Sequence, residues 1–311
     1  KRIDPFNYLD SDPERETAWQ NFIGGNIKGG VNWNIDENHN VFVNMGDYSK
    51  QPFIDAVFQN FRNNINPNTR NEKVVGFEIG YGYTSEKFRA NVNYYRTEWK
   101  DRFKTVGYRD GNIRGTADLQ GIKQLHTGIE LDFTYDLSDK FRLVGMASVG
   151  DWEYAGNVSG TAFDDVDPVG TVTLYLDGIK VGNSAQTTAR LGFDWDVAKN
   201  FKVDYSHRYA ARLYASLNAE DFDSVENDGS LQLPSYFLGD LGMSYKFDFK
   251  DSSNLNFRLN INNVGNTEYI AESLTNNFLE SGDDSYQGIN TNNKAFFGFG
   301  TTWNLTARYR F

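Results

Sequence analysis

The chain has 311 residues, no cysteine, three histidines and a formal net charge of −11 at pH 7. The missing thiols exclude disulfides and thiolate metal centres, His39, His126 and His207 are too scattered for a ligand spacing, and the acidic balance argues against nucleic acid as a partner, because phosphate binding needs a basic surface. Mean hydropathy is −0.61 and no run approaches the ~20 apolar residues of a transmembrane helix, but membrane strands, whose signal alternates, are not excluded.

The opening "KRIDPFNYLD" lacks the apolar core of a secretory signal, so either a leader has been removed or the chain begins inside a larger one. Beyond it, apolar and polar residues take turns, and helical spacing is hard to find. In "VVGFEIGYGY" Val75, Phe77, Ile79, Tyr81 and Tyr83 oppose Gly76, Glu78, Gly80 and Gly82. In "GIELDFTYDL" Ile129, Leu131, Phe133, Tyr135 and Leu137 oppose Glu130, Asp132, Thr134 and Asp136. "ARLGFDWDV", "FLGDLGMSYKFDF" and "NLNFRLNIN" repeat the split. In the last strand Trp303, Leu305, Ala307, Tyr309 and Phe311 oppose Asn304, Thr306, Arg308 and Arg310. A strand sends successive side chains to opposite faces, so each has one greasy and one polar side. About eleven strands are expected, near 25–35, 41–53, 73–83, 88–104, 122–137, 141–156, 187–197, 201–217, 234–249, 254–270 and 295–311, with a short hairpin near 170–182 inside a loop.

The connections alternate between short and long. Tight turns fall at 36–40, 84–87, 138–140, 198–200 and 250–253, and long loops near 54–72, 105–121, 157–186, 218–233 and 271–294. In an antiparallel meander this puts all the turns at one end and all the loops at the other, the pattern of outer-membrane barrels. A soluble sandwich has no reason to keep it, and several strands reach the ~9–11 residues that a tilted membrane strand needs. Aromatics gather at both strand ends: Trp33, Tyr83, Phe88, Tyr135, Phe141, Trp195, Phe201, Phe247, Phe249, Tyr309 and Phe311 toward the turns, and Trp19, Tyr95, Trp99, Trp152, Tyr154, Tyr209, Tyr214 and Tyr236 toward the loops. Two such rows are expected as girdles at the bilayer interfaces. The fold class is therefore all-β, a transmembrane antiparallel up-and-down β-barrel. Hydrocarbon cannot satisfy an open sheet edge, so the strands must close. An odd count leaves residues 1–24 as a loop segment on the long-loop side, with 25–311 as the C-terminal part of a larger barrel whose first strands lie elsewhere.

The final strand, with Trp303, Leu305, Tyr309 and Phe311 at alternate positions, resembles the C-terminal assembly signal of bacterial outer-membrane barrels. "NLNFRLNINNVGNTEYI", with Asn262, Asn263, Val264, Asn266 and Tyr269, resembles the penultimate strand of TonB-dependent receptors. "NPNTRNEKVVGFEIGYGY", "GIKQLHTGIELDFTYDLSDKF" and "NVFVNMGDYSKQPF" resemble further segments of that family, and the texture rich in Asn, Asp and Tyr resembles Bacteroidetes members. The resemblance implies a barrel of about 22 strands around an N-terminal plug, with about eleven present here as its C-terminal half. It implies energy-coupled uptake of a scarce nutrient (siderophore, glycan, peptide or cobalamin class) across the bacterial outer membrane. The implied partners are the TonB complex, reached through the plug, the barrel-insertion machinery, and outer-membrane lipids and lipopolysaccharide. The alternatives are a passive porin-like barrel, or a structural barrel in a surface assembly that docks a lipoprotein.

Inward positions are mixed in sign: Arg89, Arg142, Arg190, Lys202, Arg208, Arg212, Lys246, Arg258, Arg308 and Arg310 against Glu78, Glu130, Asp132, Asp136, Asp194, Asp196, Asp204, Asp240 and Asp248. Such a wall holds water or makes charge-assisted bonds to a plug, and it carries no single-sign filter. Two acidic groups occur in the loops, Asp164, Asp165 and Asp167, and Asp221, Asp223, Glu226 and Asp228. The second is the weak calcium candidate, without EF-hand spacing. Loop aromatics Phe53, Phe58, Phe61, Phe163, Tyr214, Phe222, Phe278 and Tyr286 either contact ligand or stiffen the loops. No G-x-S-x-G turn or other nucleophile and base signature is present, so neither an enzyme nor a cofactor is expected.

Overall fold

The computed structural model describes residues 1–311 except Phe61, Asn112, Asp165, Val166, Asp251 and Ser252, with only the backbone of Ile113. The loop aromatic Phe61, the carboxylate Asp165 and part of the 250–253 turn thus lie outside the described residues. The chain is a meander of eleven antiparallel strands in sequence order. They are β1 (Asn26–Asn34), β2 (His39–Lys50), β3 (Glu72–Thr84), β4 (Phe88–Asp110), β5 (Ile113–Ser138), β6 (Phe141–Tyr154), β7 (Thr187–Ala198), β8 (Phe201–Ala211), β9 (Tyr236–Asp248), β10 (Asn254–Asn262) and β11 (Thr302–Arg310). Among the described residues no helix is long and apolar enough to cross a membrane. The one α-helix among the described residues, α1, is the single turn Ile54–Val57.

Register fixes which residues share a face. Val41 pairs with Tyr81 and Tyr81 with Val92. Val92 pairs with Leu131, and Leu131 with Ala147. The apolar set thus stays on one side across the strands, because a slip of one residue would turn every side chain over. The tight turns have local causes. The Asp36 carboxylate accepts from the backbone N–H of Asn38 (2.8 Å) and His39 (2.9 Å), closing β1 onto β2. The β5–β6 and β7–β8 hairpins each shift register at their turn, between Asp136 and Ser138 and between Asp196 and Ala198. Such bulges raise the local twist where the chain reverses.

The largest departure from expectation is at 105–121. It is no loop: β4 and β5 stay paired as far as Asp110 and Ile113. The hairpin bends where the register shifts near Trp99–Phe103, with Asp101 at φ 57° facing Gly121 at φ 93°. Gly suits this left-handed position because it has no Cβ to strain. Beyond the bend, Gly115–Leu119 pairs with Val158–Asp164, which pairs in turn with Asp167–Leu174. That is the loop hairpin, placed earlier in the chain than the 170–182 expected. Two strands also end sooner than their apolar runs, and the last one begins later. β8 stops at Ala211, because Arg212 turns left-handed (φ 53°) and Leu213–Tyr214 pairs with Gln232–Leu233 instead. β10 stops before Asn263 and Asn266, both at positive φ. Ala295–Phe297 pairs with Ile270–Ser273, so the last wall strand is only Thr302–Arg310.

The core sits in the loop layer rather than in the sheet. Val106, Leu119, Leu174, Leu176, Leu217 and Phe222 form one buried cluster above β4–β6, and Leu213, Leu231, Leu233, Ile270 and Ile289 a second above β8–β10. The apolar face of the sheet has no protein cover: Leu191 is 56% exposed and Leu305 59%.

Candidate functional site: the polar face and the outer loops

Alternation places every inward residue expected from the sequence on one face of the sheet, apart from Arg212, which has left β8. Its guanidinium donates to the Gly150 carbonyl (2.8 Å) and pairs with Asp151 (3.3 Å). The two halves of that face differ. Across β5–β10 the charges are zipped together: Asp136 with Arg142 (2.6 Å), Asp196 with Lys202 (2.8 Å), Asp240 with Arg208 (2.9 Å) and Asp248 with Lys246 (2.6 Å). Arg258 grips both carboxylate oxygens of Asp204, with Nη2 to Oδ1 at 2.9 Å, and its Nε donates to Asn260 (2.8 Å). The forked pair joins β8 to β10 across β9, passing over Gly242, and a guanidinium forked onto a carboxylate is a directional contact.

Across β1–β5 amides take the place of most cations, although Lys50 of β2 pairs with Glu72 of β3 (2.9 Å). Asn40 donates to Asn32 (2.8 Å) and Asn91 to Asp132 (3.2 Å). Glu78 accepts from Asn93 (2.9 Å) and Asn44 (3.3 Å), and Glu130 from Asn93 (3.4 Å) and Ser148 (3.5 Å). Among the described residues neither glutamate has an ion-pair partner. The same half bears an aromatic shelf. Trp152 stacks on His126 with ring centroids 5.1 Å apart, and its indole N–H donates to the Tyr95 hydroxyl (2.8 Å). Trp99 lies on the other side of His126 and carries the Arg102 guanidinium over its ring. Tyr95 and Trp152 border a concave recess of about 860 Å³, lined also by Lys28, Tyr48 and Gly76.

This corrects the expected outer girdle. Trp99 pairs with Gln124 and Trp152 with His126, so both lie on the polar face with Tyr95, while neighbouring Tyr94 faces outward. Tyr154 is buried against the loop core and Tyr214 in the loop layer. Tyr236 falls on the polar face and packs against Tyr269. Of that row Tyr209 faces outward, stacked on Phe237 at 4.5 Å. The row at the turn end is as expected. Contacts link Tyr83, Phe88 and Tyr135, then Phe141 and Trp195, then Tyr245 and Phe247, then Phe249, Tyr309 and Phe311. The parity of "YYRTEW" was the available signal: counted from Val92, Tyr94 and Tyr95 must part company.

The C-terminal positions Trp303, Leu305 and Tyr309 lie on the outward face of β11, followed by Phe311. In the loops, Phe58, Phe163 and Tyr214 are buried and Phe222 is fully buried, so these four stiffen the layer, while Phe53, Phe278 and Tyr286 reach solvent. Among the described residues no group of three or more His, Asp or Glu gathers into a metal site. Asp221 is instead engaged by Asn276, whose backbone N–H and amide both donate to it at 3.0 Å. Burial has a measurable consequence in the hairpin beyond the bend. The buried Asp118 accepts from the Thr105 hydroxyl (2.7 Å), yet desolvation pushes its carboxyl above the usual range. Desolvation likewise pushes the nearby Lys104 ammonium down.

No curated protein matches the sequence. Among solved structures, the FrpB iron transporter from Neisseria meningitidis has a TM-score of 0.58 at 19% identity, covering 91% of this chain and 38% of its own. The siderophore receptor PiuA from Acinetobacter baumannii has a TM-score of 0.60 at 17% identity, covering 90% of this chain and 35% of its own. The copper transporter OprC has a TM-score of 0.59 at 15% identity, covering 91% of this chain and 39% of its own. At such identities the likeness is one of fold, and the chain spans less than two fifths of these proteins. The family model described as TonB dependent receptor-like, beta-barrel matches residues 8–264. With its outward greasy face, ion-paired inner face and meander of eleven strands, the chain belongs to the TonB-dependent receptor β-barrel family.

Proposed function

We propose that the chain is the C-terminal part of the wall of an outer-membrane transporter that takes up a scarce nutrient using TonB. Residues 1–24 form a segment of the external loops, and residues 25–311 supply eleven staves of a cylinder completed by further strands around a plug. The observation that carries this reading is the pair of open edges. Among the described residues β1 pairs only with β2 and β11 only with β10, while all nine residues of each are exposed. In hydrocarbon, unpaired backbone groups cost several kcal/mol each, so these edges call for partners. The exposed apolar face calls for lipid, at about 1.5–3 kcal/mol for each large side chain that is covered.

In this reading the turns face the periplasm, and the loop layer with its two cores faces the medium. The plug lies against the polar face and meets TonB, and the cargo is of the siderophore, glycan, peptide or cobalamin class. The wall itself performs no chemistry. The test is uptake by cells carrying the complete receptor. Accumulation of the cargo should stop when TonB is deleted or the proton gradient is collapsed. Uptake that continues unchanged in both conditions would mean a passive pore.

A further inference from the structure

The half of the polar face with unpaired charge is also the half with the aromatic shelf, and the glycines explain its shape. Gly46 pairs directly with Gly76, and Gly128 with Gly150. A Cβ at Gly46 would fall 2.4 Å from the Tyr48 ring, at Gly128 2.5 Å from the Tyr95 hydroxyl, and at Gly150 2.6 Å from the Trp152 indole nitrogen. Three rings therefore lie flat on the wall in the space that side chains would take. Above Gly76 nothing comes nearer than 3.9 Å to the place of a Cβ. It is the floor of the recess of about 860 Å³, with Tyr48 on one side and Tyr95 and Trp152 on the other.

The charges around that floor decide what fits it. Glu78 and Glu130 are held by amides and a hydroxyl, with no cation against either. Lys28 lines the same recess and makes no ion pair among the described residues. Two carboxylates against one ammonium disfavour an anionic cargo, while a cationic one would gain the carboxylates but still meet the ammonium. A neutral polyol satisfies both, since each hydroxyl donates to a carboxylate and accepts from an ammonium. The flat rings suit the apolar C–H face of a pyranose, as aromatic surfaces favour edge or C–H contact with their negative faces.

We propose that this recess is a cargo subsite for a neutral saccharide ring, with Tyr48 and Trp152 as stacking platforms and Glu78, Glu130 and Lys28 as the hydroxyl-binding groups. The assignment rests on the transport reading for its purpose but is tested by binding alone. The complete receptor, purified in detergent, is titrated with a mixture of linear gluco-, manno- and xylo-oligosaccharides, and separately with ferric citrate and with spermidine. Tryptophan fluorescence and calorimetry report binding. The oligosaccharides should bind with an affinity that hardly changes with salt, and ferric citrate and spermidine should not compete. Trp152→Ala should weaken binding at least about tenfold, the scale of a stacking contact, and Trp152→Phe should restore most of it. Gly76→Leu fills the floor, where a Cβ meets nothing nearer than 3.9 Å, and should abolish binding while the barrel still migrates as a folded species. The proposal is overturned if no oligosaccharide binds, if either ionic ligand binds better, or if Gly76→Leu leaves saccharide binding intact. Cells without TonB should lose uptake but keep binding, so a failure of the transport reading looks different.

Discussion

The sheet and the loop layer solve the burial problem in opposite ways. The loop layer has an ordinary protein interior: Leu119, Leu174, Leu176 and Phe222 are fully buried, and neighbouring segments supply the cover. The sheet has none, and its large apolar residues point away from the chain. The difference teaches where each region gets its stability. The loops are held by close packing, which fails when a gap opens. The wall is held by backbone pairing and inner-face ion pairs, with its greasy side left to lipid.

The sharpest way to break the contrast is a pair of truncations. Phe222→Ala should destabilise the loop layer by about 3–5 kcal/mol, the range for emptying a buried aromatic site. Leu305→Ala on the outward face should leave no cavity, lose only lipid contact and spare the loop layer. Hydrogen exchange of residues 102–120 and 158–176, followed in the purified receptor, distinguishes them, and equal effects would deny that the two regions differ. A charge tests the other side. Leu131→Arg, near the middle of the part of β5 between the bend and the turn and on the outward face, should cost about 2–4 kcal/mol and reduce outer-membrane assembly. Asn93→Arg, facing inward, should be tolerated, as read by heat-modifiable migration of membrane fractions. If the inward substitution is the worse of the two, the faces have been assigned the wrong way round.

Smaller effects refine the picture. Arg258→Met removes the forked contact to Asp204, but both side chains are about one third exposed, so water screens the pair and the loss should be up to ~1 kcal/mol. Denaturant midpoints that rise when Asp204→Asn is added to Arg258→Met would show the pairing directly. The smallest effect concerns pH. Burial raises the Asp118 carboxyl above its ordinary value of 3.8, so the folded loop layer holds this proton more tightly than the unfolded chain does. Its contribution is therefore present below the ordinary value and lost as pH rises through the raised one. Relative to Asp118→Asn, the native loop layer should become less protected against exchange as pH climbs through that window. A flat difference between the two would remove Asp118 from the account.

Much of the wall was legible because a strand has a period of two and the solvent has two kinds. Leu131 and Asp132 had to part, and the short turn at Asp139–Lys140 had to lie opposite the long loops. The site was less legible. Trp152 and Tyr95 were placed with the outer girdle because they are aromatic and near strand ends, whereas parity from Val92 turns Tyr95 inward. Composition competed with register there, and register won because it is fixed by every hydrogen bond along the ladder. The 105–121 hairpin pairs locally, Val106 with Ala117, but the strand that covers its edge, Gly160–Asp164, is far away in sequence. Likewise, nothing near Arg212 in sequence shows that Leu213–Tyr214 abandons β8 for Gln232–Leu233.

The sequence by itself determined the meander, the two faces, the end at which the turns gather and the family. All of these follow from local alternation and spacing, which neighbouring residues carry without help. Only the tertiary structure decided which carboxylates are neutralised, which rings lie flat over paired glycines, and where a packed core exists at all. Those outcomes depend on cross-strand neighbours tens of residues apart, and a linear pattern holds no record of which strand lies beside which side chain until the register is closed.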